Sequence, residues 1–406
     1  MSESSEPPRP TETRRWILFG GYGLRPFFLC AAVYALVALG AWLHRLSGAD
    51  FGASPIWVSP AIWHGHEMLF GYAGAVIAGF MLTAVPSWTG APILKPGALF
   101  LLFLLWLAGR LALWQVDFLS PWVVAAADMA FLPALALLAG APVWQRRMYR
   151  NLVFVAVLLF LTGANAMIHM DAIRGELDLA ATGLRLSLDG VVLLVVIVGG
   201  RVIPAFTTNV LRRKFGEPDL RNPPNLGKLA IVTTVAMVLA DAVVPETAVA
   251  GALAVAAGVL ALLRLSGWRG FQCRDDPLIW ILHVGYLWLG IGLLLKGLSD
   301  LVPDIPPTAA IHALATGAIG SMTLGVMSRA ALGHTGRVLA ASPLLTLAYF
   351  LLNIGAMIRV AGVWQPDIYG VDTIILSAGV WSAAFVLFIV LFAPILLRPR
   401  IDGRPG

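Results

Sequence analysis

Two histidines and a glutamate stand close together in the stretch AIWHGHEMLFG, residues 61–71. The stretch is otherwise typical of a membrane-spanning helix, where ionisable side chains are costly and usually serve a function. Residues i and i+2 of a helix point about 200° apart. His64 and His66 should therefore serve two sites, unless Gly65 permits an irregular site that uses both. Imidazole binds copper, zinc and iron, so the pattern indicates metal or haem chemistry.

The chain has the composition of an integral membrane protein. It contains 406 residues, of which 59% are hydrophobic and 12% charged, whereas a soluble domain carries about 25% charged residues. The two cysteines, Cys30 and Cys273, exclude a disulfide framework and argue against a thiolate metal cluster. Residues 1–14 are polar and proline-rich, which predicts a disordered cytoplasmic tail without the features of a signal peptide. Residues 15–406 are predicted to form a single transmembrane domain.

Apolar runs of roughly 20 residues, the length that crosses a membrane, recur along the chain and predict an all-α, polytopic bundle of twelve transmembrane helices. The predicted spans are 24–46, 61–85, 97–114, 120–140, 149–170, 184–204, 227–245, 247–264, 277–299, 307–330, 341–362 and 371–397. Lysine and arginine concentrate in alternate loops, which places both termini in the cytoplasm. This topology accounts for the net charge of +6, and no nucleic-acid partner is expected.

Five of the seven histidines fall at one level, the outer end of the predicted bundle. They belong to four spans and are His44, His64, His66, His169 and His312. A single histidine at this level usually bonds to carbonyls or water, and we assign His44 to that role. Several helices that offer imidazoles at one depth are suited to a metal or haem site inside a bundle. His283 and His334 lie nearer the cytoplasmic end.

Similar motifs end every fourth span, which suggests three repeats of four helices. The motifs are GFMLTAVPSWTG in span 2, GGRVIPAFTTN in span 6 and GVMSRAALGHTG in span 10. His66 precedes Thr89 by 23 residues, and His312 precedes Thr335 by the same number. The two histidines would then hold equivalent positions. The alternative is coincidence, since glycine, proline and threonine are common in membrane helices.

Other polar residues within or near the spans have less specific interpretations. Glu67 is a secondary polar residue beside the histidines. Arg201 and Arg329, at the inner ends of spans 6 and 10, are assigned to a cytoplasmic vestibule. Asp128 and Asn165 lie deeper, and we assign both to interhelical hydrogen bonds.

Four stretches together resemble the NnrS family of membrane proteins. They are GLRPFFL (23–29), WHGHEMLFGYAGAVIAGFMLTAVPSWTG (63–90), GRVIPAFTTN (200–209) and MSRAALGHTGR (327–337). The resemblance extends over nearly the whole chain. It implies a twelve-span protein of the bacterial inner membrane that contains b-type haem and copper and is linked to nitric-oxide metabolism and nitrosative stress. The two cofactors follow from the resemblance and not from the spacing.

With these cofactors, the histidines can be given expected roles. We expect His66 and His312, which match in the repeat, to be the axial ligands of one haem. We expect His64 and His169 to contribute to a nearby copper site. His283 and His334 are further candidate ligands, and no catalytic residue is identified.

The expected function is to bind or turn over nitric oxide, with the lipid bilayer as the surrounding phase. Whether the protein is a nitric-oxide-converting oxidoreductase, a sensor or a sequestering protein is left open, and the electron donor is unknown. Alternatives are a secondary transporter or a copper-only membrane protein that handles metal. No His-His pair follows span 6, and spans 6, 7 and 8 contain no histidine, which argues against a proton-pumping haem-copper oxidase.

Overall fold

The computed structural model describes residues 19, 21–47, 58–175, 178–216, 220–368 and 371–403. Within these ranges, twelve helices are long and apolar enough to cross a membrane. They are α1 (Leu24–Leu46), α2 (Pro60–Thr89), α3 (Pro96–Leu113), α4 (Pro121–Gln145), α5 (Tyr149–Arg174), α6 (Leu179–Phe215), α7 (Pro224–Val243), α8 (Ala248–Ser266), α9 (Pro277–Leu301), α10 (Pro307–His334), α11 (Pro343–Ala361) and α12 (Thr373–Leu396). The predicted all-α polytopic bundle is confirmed. The predicted tail, residues 1–14, lies outside the described residues.

Local sequence signals set the helix starts. Ser59 accepts a hydrogen bond from the Ile62 amide at 3.2 Å, and Ser342 accepts one from the Leu345 amide at 3.2 Å. In both helices a proline follows the capping serine at the first helical position, where its missing N–H costs nothing. Helix α4 is interrupted at Ala130, between segments Pro121–Met129 and Phe131–Gln145.

Helix α6 is longer than predicted. The apolar run predicted a span over 184–204, but the helix begins at Leu179 and continues to Phe215. Its last turn contains Arg212, Arg213 and Lys214. Cationic side chains at a helix C-terminus interact favourably with the helix dipole, which hydropathy alone does not register. A second feature that the sequence did not predict is a pair of two-residue strands, β1 (Asp367–Ile368) and β2 (Val371–Asp372), between α11 and α12.

Helices α2, α6 and α10 form the centre of the bundle. In these helices 78%, 83% and 67% of the most apolar stretch is buried, more than in the other spans. Among the flanking helices, α1 packs against α2, α10 and α12, α12 packs against α10, and α4 packs against α2. The central helices are every fourth one, as the suggested repeat requires, although the repeat itself stays a prediction.

The two central helices that carry histidines at their starts share an irregularity. A π-helical segment, Glu67–Ala73, follows His66 in α2, and another, Ala313–Ile319, follows His312 in α10. Segments of this kind often occur at functional sites. In each, a tryptophan from a neighbouring helix donates to a carbonyl of the widened turn: Trp106 to Gly71 at 2.9 Å, and Trp381 to Thr316 at 3.4 Å.

The inner ends of α2 and α10 also correspond. Gly90 and Gly336 each lie 24 residues after the histidine, and both have positive φ, at 66° and 76°. The threonine before each glycine donates to the carbonyl four residues earlier, Thr89 to Val85 and Thr335 to Ala331. Helix α6 has no π segment, so the likeness is shown for two helices of the three.

A buried arginine joins the first and last spans. Arg25 in α1 is 1% exposed. Its Nη1 donates to the Leu396 and Arg398 carbonyls at 2.7 Å each. These are carbonyls at the C-terminal end of α12, which α-helical hydrogen bonding leaves without partners. The guanidinium thus donates hydrogen bonds to free carbonyl groups at the end of α12, and it holds α1 beside that end.

Candidate functional site

Three helices bring a buried polar cluster together near the start of α2. Asp128 in α4 lies between His66 in α2 and His169 in α5. Its Oδ2 is 2.9 Å from His169 Nε2 and 3.2 Å from His66 Nε2. Asn165, one turn before His169, donates to the same oxygen at 2.7 Å. All four side chains are at most 4% exposed. The assignment of Asp128 and Asn165 to interhelical hydrogen bonds therefore agrees with their contacts.

Both ring nitrogens of His66 face oxygen atoms. Nδ1 lies 2.8 Å from Glu67 Oε1, and Nε2 lies 2.9 Å from Asn165 Oδ1. A neutral ring donates from one nitrogen and accepts at the other. Nε2 also lies 3.2 Å from Asp128 Oδ2, so this nitrogen can direct either an N–H group or a lone pair for a metal ion toward Asp128.

A single arginine contacts both acidic groups of this cluster. Arg110 in α3 donates to Glu67 Oε1 and to Asp128 Oδ1, and the Tyr34 hydroxyl donates to Glu67 Oε2. A buried carboxylate is stable only when it is paired and hydrogen-bonded. Arg110 thus fixes Glu67 and Asp128 on the side of the cluster opposite His169.

The geometry of this cluster fits a small metal ion. One ligand atom each from His66, Asp128 and His169 lies within 4.8 Å of the others. Imidazole and carboxylate suit copper, zinc or iron. The Glu67 carboxylate at His66 Nδ1 corresponds to the outer partner that orients ligating histidines and raises their basicity.

A cavity of about 560 Å³ opens beside the cluster, between α2, α6, α9, α10, α11 and α12. His64 and His312 both line it. His312 Nδ1 donates to the Thr308 carbonyl at 2.8 Å, which leaves Nε2 as the nitrogen with a lone pair. His64 stacks on the Trp42 ring, with centroids 4.9 Å apart. Its Nδ1 is buried and has no hydrogen-bond partner within the described part of the chain.

The cavity wall is mainly aliphatic and aromatic, with charged groups at restricted positions. Tyr72, Trp42 and Trp381 supply aromatic surface, and Arg359 and Lys296 are among the charged groups. Pockets that hold organic cofactors combine a largely apolar wall with a few polar groups, at volumes of about 300–1,000 Å³.

His64 and His66 thus face two different environments, as helix geometry predicts, but the structure pairs them differently from the predicted assignment. The sequence paired His66 with His312, and His64 with His169. In the structure, the His66 and His169 rings lie 5.9 Å apart, and His64 and His312 share the cavity. The side chain that each helix presents depends on how the helix is rotated in the bundle, and a sequence repeat does not fix that rotation.

The other candidate residues lie apart from both groups. His283 Nδ1 donates to the Ile279 carbonyl at 3.1 Å, which is an ordinary bond of a buried histidine. His334 packs edge-on against Tyr22. Arg201 donates to Asn151 Oδ1 at 3.1 Å, and Arg329 lies over the Phe206 ring at 4.1 Å. Glu67, by contrast, belongs to the polar cluster.

The sequence interpretation did not recognise four groups as parts of the site. It gave Asp128 and Asn165 a purely structural role, and it left out Arg110 and Tyr34. One usable signal was the spacing of Asn165 and His169, because residues i and i+4 lie on the same helix face. An aspartate within an apolar span is a second signal, since such a residue needs a buried partner. Tyr34 offered no signal, as tyrosine is common in membrane helices.

One comparison with known proteins identifies a family for this chain. A second comparison, with curated proteins, gave no match. The family model described as "NnrS protein" matches residues 19–400, nearly the whole chain. With its twelve apolar helices and its buried histidines at the start of α2, the chain belongs to the NnrS family.

Proposed function

We propose that this protein binds b-type haem in the cavity between His64 and His312 and copper at His66, Asp128 and His169, and that nitric oxide is its ligand or substrate. The observation that carries the proposal is the position of two histidine pairs in adjoining sites, one on a cavity of about 560 Å³ and one in a buried polar cluster. The proposal retains the two cofactors expected from the sequence. It differs in pairing His64 with His312 and His66 with His169.

The residues of the cavity fit a haem. Thr308 holds His312 in the tautomer whose Nε2 can ligate, and Trp42 orients the His64 ring. The buried Nδ1 of His64 lacks a protein partner among the described residues, and an unmade buried hydrogen bond is costly. Arg359 and Arg185 line the same cavity, and an arginine guanidinium is suited to bind the carboxylate of a haem propionate.

The residues of the polar cluster fit a copper ion. Two imidazole nitrogens and one carboxylate oxygen converge there from three helices. Glu67 and Arg110 keep the neighbouring charges balanced and the His66 ring oriented. Ligation at His66 Nε2 requires that nitrogen to be free of a proton.

When bound, the haem iron supplies a redox-active position for a diatomic gas, and copper supplies a second redox centre. Tyr72, Trp42 and Trp381 supply apolar, aromatic wall to the cavity that would hold the haem. Nitric oxide is small and weakly polar, so it partitions into a membrane. We place the protein in the bacterial inner membrane on the strength of its family.

An absorption spectrum and a copper determination on the purified full-length protein test the proposal. We expect a Soret band that shifts when nitric oxide is added, and copper in proportion to protein. The double variant H64A/H312A should lose the Soret band and keep copper, and H66A/H169A should do the reverse. A folded wild-type protein with neither cofactor would overturn the proposal and favour the alternative of a secondary transporter. Copper without haem would favour the metal-handling alternative.

A further inference from the structure

A second buried charge cluster lies on the wall of the cavity, away from all four histidines. It comprises Asp189 in α6, Asp241 in α7 and Lys296 in α9. Lys296 Nζ is 2.8 Å from Asp241 Oδ2 and 3.8 Å from Asp189 Oδ1. Both aspartates are 1% exposed. One ammonium thus serves two buried carboxyl groups, and the cluster carries an uncompensated negative charge when all three are ionised.

The two carboxyl groups share a single cation. Lys296 contacts both of them, and one ammonium neutralises only one carboxylate. A buried carboxylate without a counter-charge is costly, which favours a proton on one of the two. Asp189 and Lys296 line the cavity, and Asp189 Oδ2 is buried without a donor among the described residues. The cluster therefore combines a protonated carboxyl with a carboxylate oxygen at the cavity wall.

Charged groups continue from this cluster to the rim of the bundle. Asp300 lies one turn beyond Lys296 on α9 and is partly exposed. Arg185 Nη1 is 3.5 Å from Glu246 Oε1, whose side chain is 77% exposed. The titratable and charged groups that surround the cluster or share its cavity are Arg185, Glu246, Asp300, His64, His312 and Arg359. None of them lies within two residues of Asp189, Asp241 or Lys296.

We propose that Asp189, Asp241 and Lys296 form a proton-transfer chain that connects the rim near Asp300 to the cavity. In one transfer, the protonated carboxyl of the pair releases its proton to a cavity occupant as that occupant gains negative charge. The Nζ–H bond of Lys296 breaks as the carboxyl O–H bond forms again. The lysine amine then takes a proton from a hydronium ion at the rim, which leaves water, and the cluster returns to its first state.

This proposal rests on the proposed function only in one respect: the haem or its ligand is the group that would accept the proton. The proton-transfer chain itself is a property of the apoprotein. Its test is therefore independent of the cofactors, whose content is measured on the same samples.

The test is infrared difference spectroscopy of the full-length protein in nanodiscs, in H₂O and D₂O. We expect the wild type minus D189N, or minus D241N, to show the carbonyl stretch of a protonated carboxyl. In K296R the positive charge is kept, but the guanidinium does not release its proton in a protein. That variant should keep the band, but its carboxyl proton should exchange for deuterium about 100-fold more slowly. This factor is the lower end of the rate effect of a positioned acid–base group. Asp304→Asn, an exposed carboxyl at the same end of α9, is the matched control and should change neither band nor rate.

Two outcomes would overturn the proposal. One is the absence of a protonated carboxyl band in both difference spectra. The other is K296R exchange as fast as in the wild type, which would reduce the cluster to a structural ion pair. If one aspartate variant fails to fold, the other identifies the band, and the K296R exchange rate of that band decides. Loss of haem and copper with an intact band and slow K296R exchange would contradict the proposed function and leave the proton chain standing.

Discussion

His66 and His169 meet edge to face, with ring centroids 5.9 Å apart and ring planes at 82°. Asp128 Oδ2 lies within 3.2 Å of Nε2 of each ring. The three side chains come from α2, α4 and α5, so a metal ion held here would cross-link three helices. Such a metal contributes to stability as well as to chemistry, because its binding free energy is available only in the folded bundle.

The first prediction concerns the copper ligands. His169→Ala should reduce bound copper to background and leave the haem spectrum unchanged, because His169 contacts the polar cluster and does not line the cavity. The measurement is metal content per protein after dialysis against a mild chelator. His283→Ala, which removes a buried histidine elsewhere, should retain copper. Equal copper in both variants would contradict the assignment.

The second prediction concerns Glu67, which contacts His66 Nδ1 at 2.8 Å. Glu67→Gln should weaken copper affinity about 10- to 100-fold, the usual effect of losing the outer partner of a ligating histidine. Competition with a chelator of known affinity measures this change. Unaltered affinity would mean that Glu67 serves Arg110 and Tyr34 alone.

The third prediction concerns the haem ligands. His312→Ala should abolish the Soret band or change the haem spin state while copper is retained. His334→Ala is the control, since His334 packs against Tyr22 at the inner end of α10 and is expected to keep a normal spectrum. Loss of haem in the control, with the protein still folded, would contradict the placement of haem in the outer cavity.

The fourth prediction concerns stability. Arg110→Met would leave Glu67 and Asp128 buried without their shared cation, and breaking a buried ion pair in this way costs about 3–5 kcal/mol. We expect a large fall in the thermal unfolding midpoint in detergent. Arg201→Met, which removes a more exposed arginine that contacts Asn151 and Phe154, should have a much smaller effect. Similar midpoints for the two variants would show that the guanidinium of Arg110 is dispensable.

The fifth prediction concerns topology, which rests on the basic residues of alternate loops. Reporter fusions after residues 228 and 406 should read cytoplasmic, and a fusion after residue 176 should read periplasmic. A periplasmic signal after residue 406 would require an odd number of membrane crossings between the termini.

Much of the helix arrangement could be predicted from the sequence, because a bilayer imposes length and apolarity on every span. The division between α7 and α8, within DAVVPETAVA, is an example: the helices are separate, with Val243 and Ala248 as the flanking residues. The extension of α6 to Phe215 could not be predicted in the same way. Its last turns are basic and lie beyond the apolar run, and helical hydrogen bonds do not require apolar residues.

The sequence indicated residue types for the candidate site, but it did not indicate how the helices pair them. Helix geometry predicted that His64 and His66 point apart, and in the structure the two rings have different neighbours. It could not decide that His66 faces α5, because the rotation of each helix about its axis depends on the packing of neighbouring side chains. The π segments after His66 and His312 add to the difficulty, since a widened turn shifts every later residue around the helix. No hydropathy pattern reports that shift.

The bonds between Arg25 and the end of α12 have a consequence for the timing of assembly. The guanidinium and its Leu396 acceptor are separated by 371 residues. At a synthesis rate of roughly 5–20 residues per second, the ribosome delivers these carbonyls about 20–75 s after Arg25. During that interval the arginine must remain with other partners or with lipid headgroups and water. Helix α1 is thus synthesised before α12 but gains these hydrogen bonds only after α12 is made, and substitutions at Arg25 should act on this late step of biogenesis before they act on the cofactors.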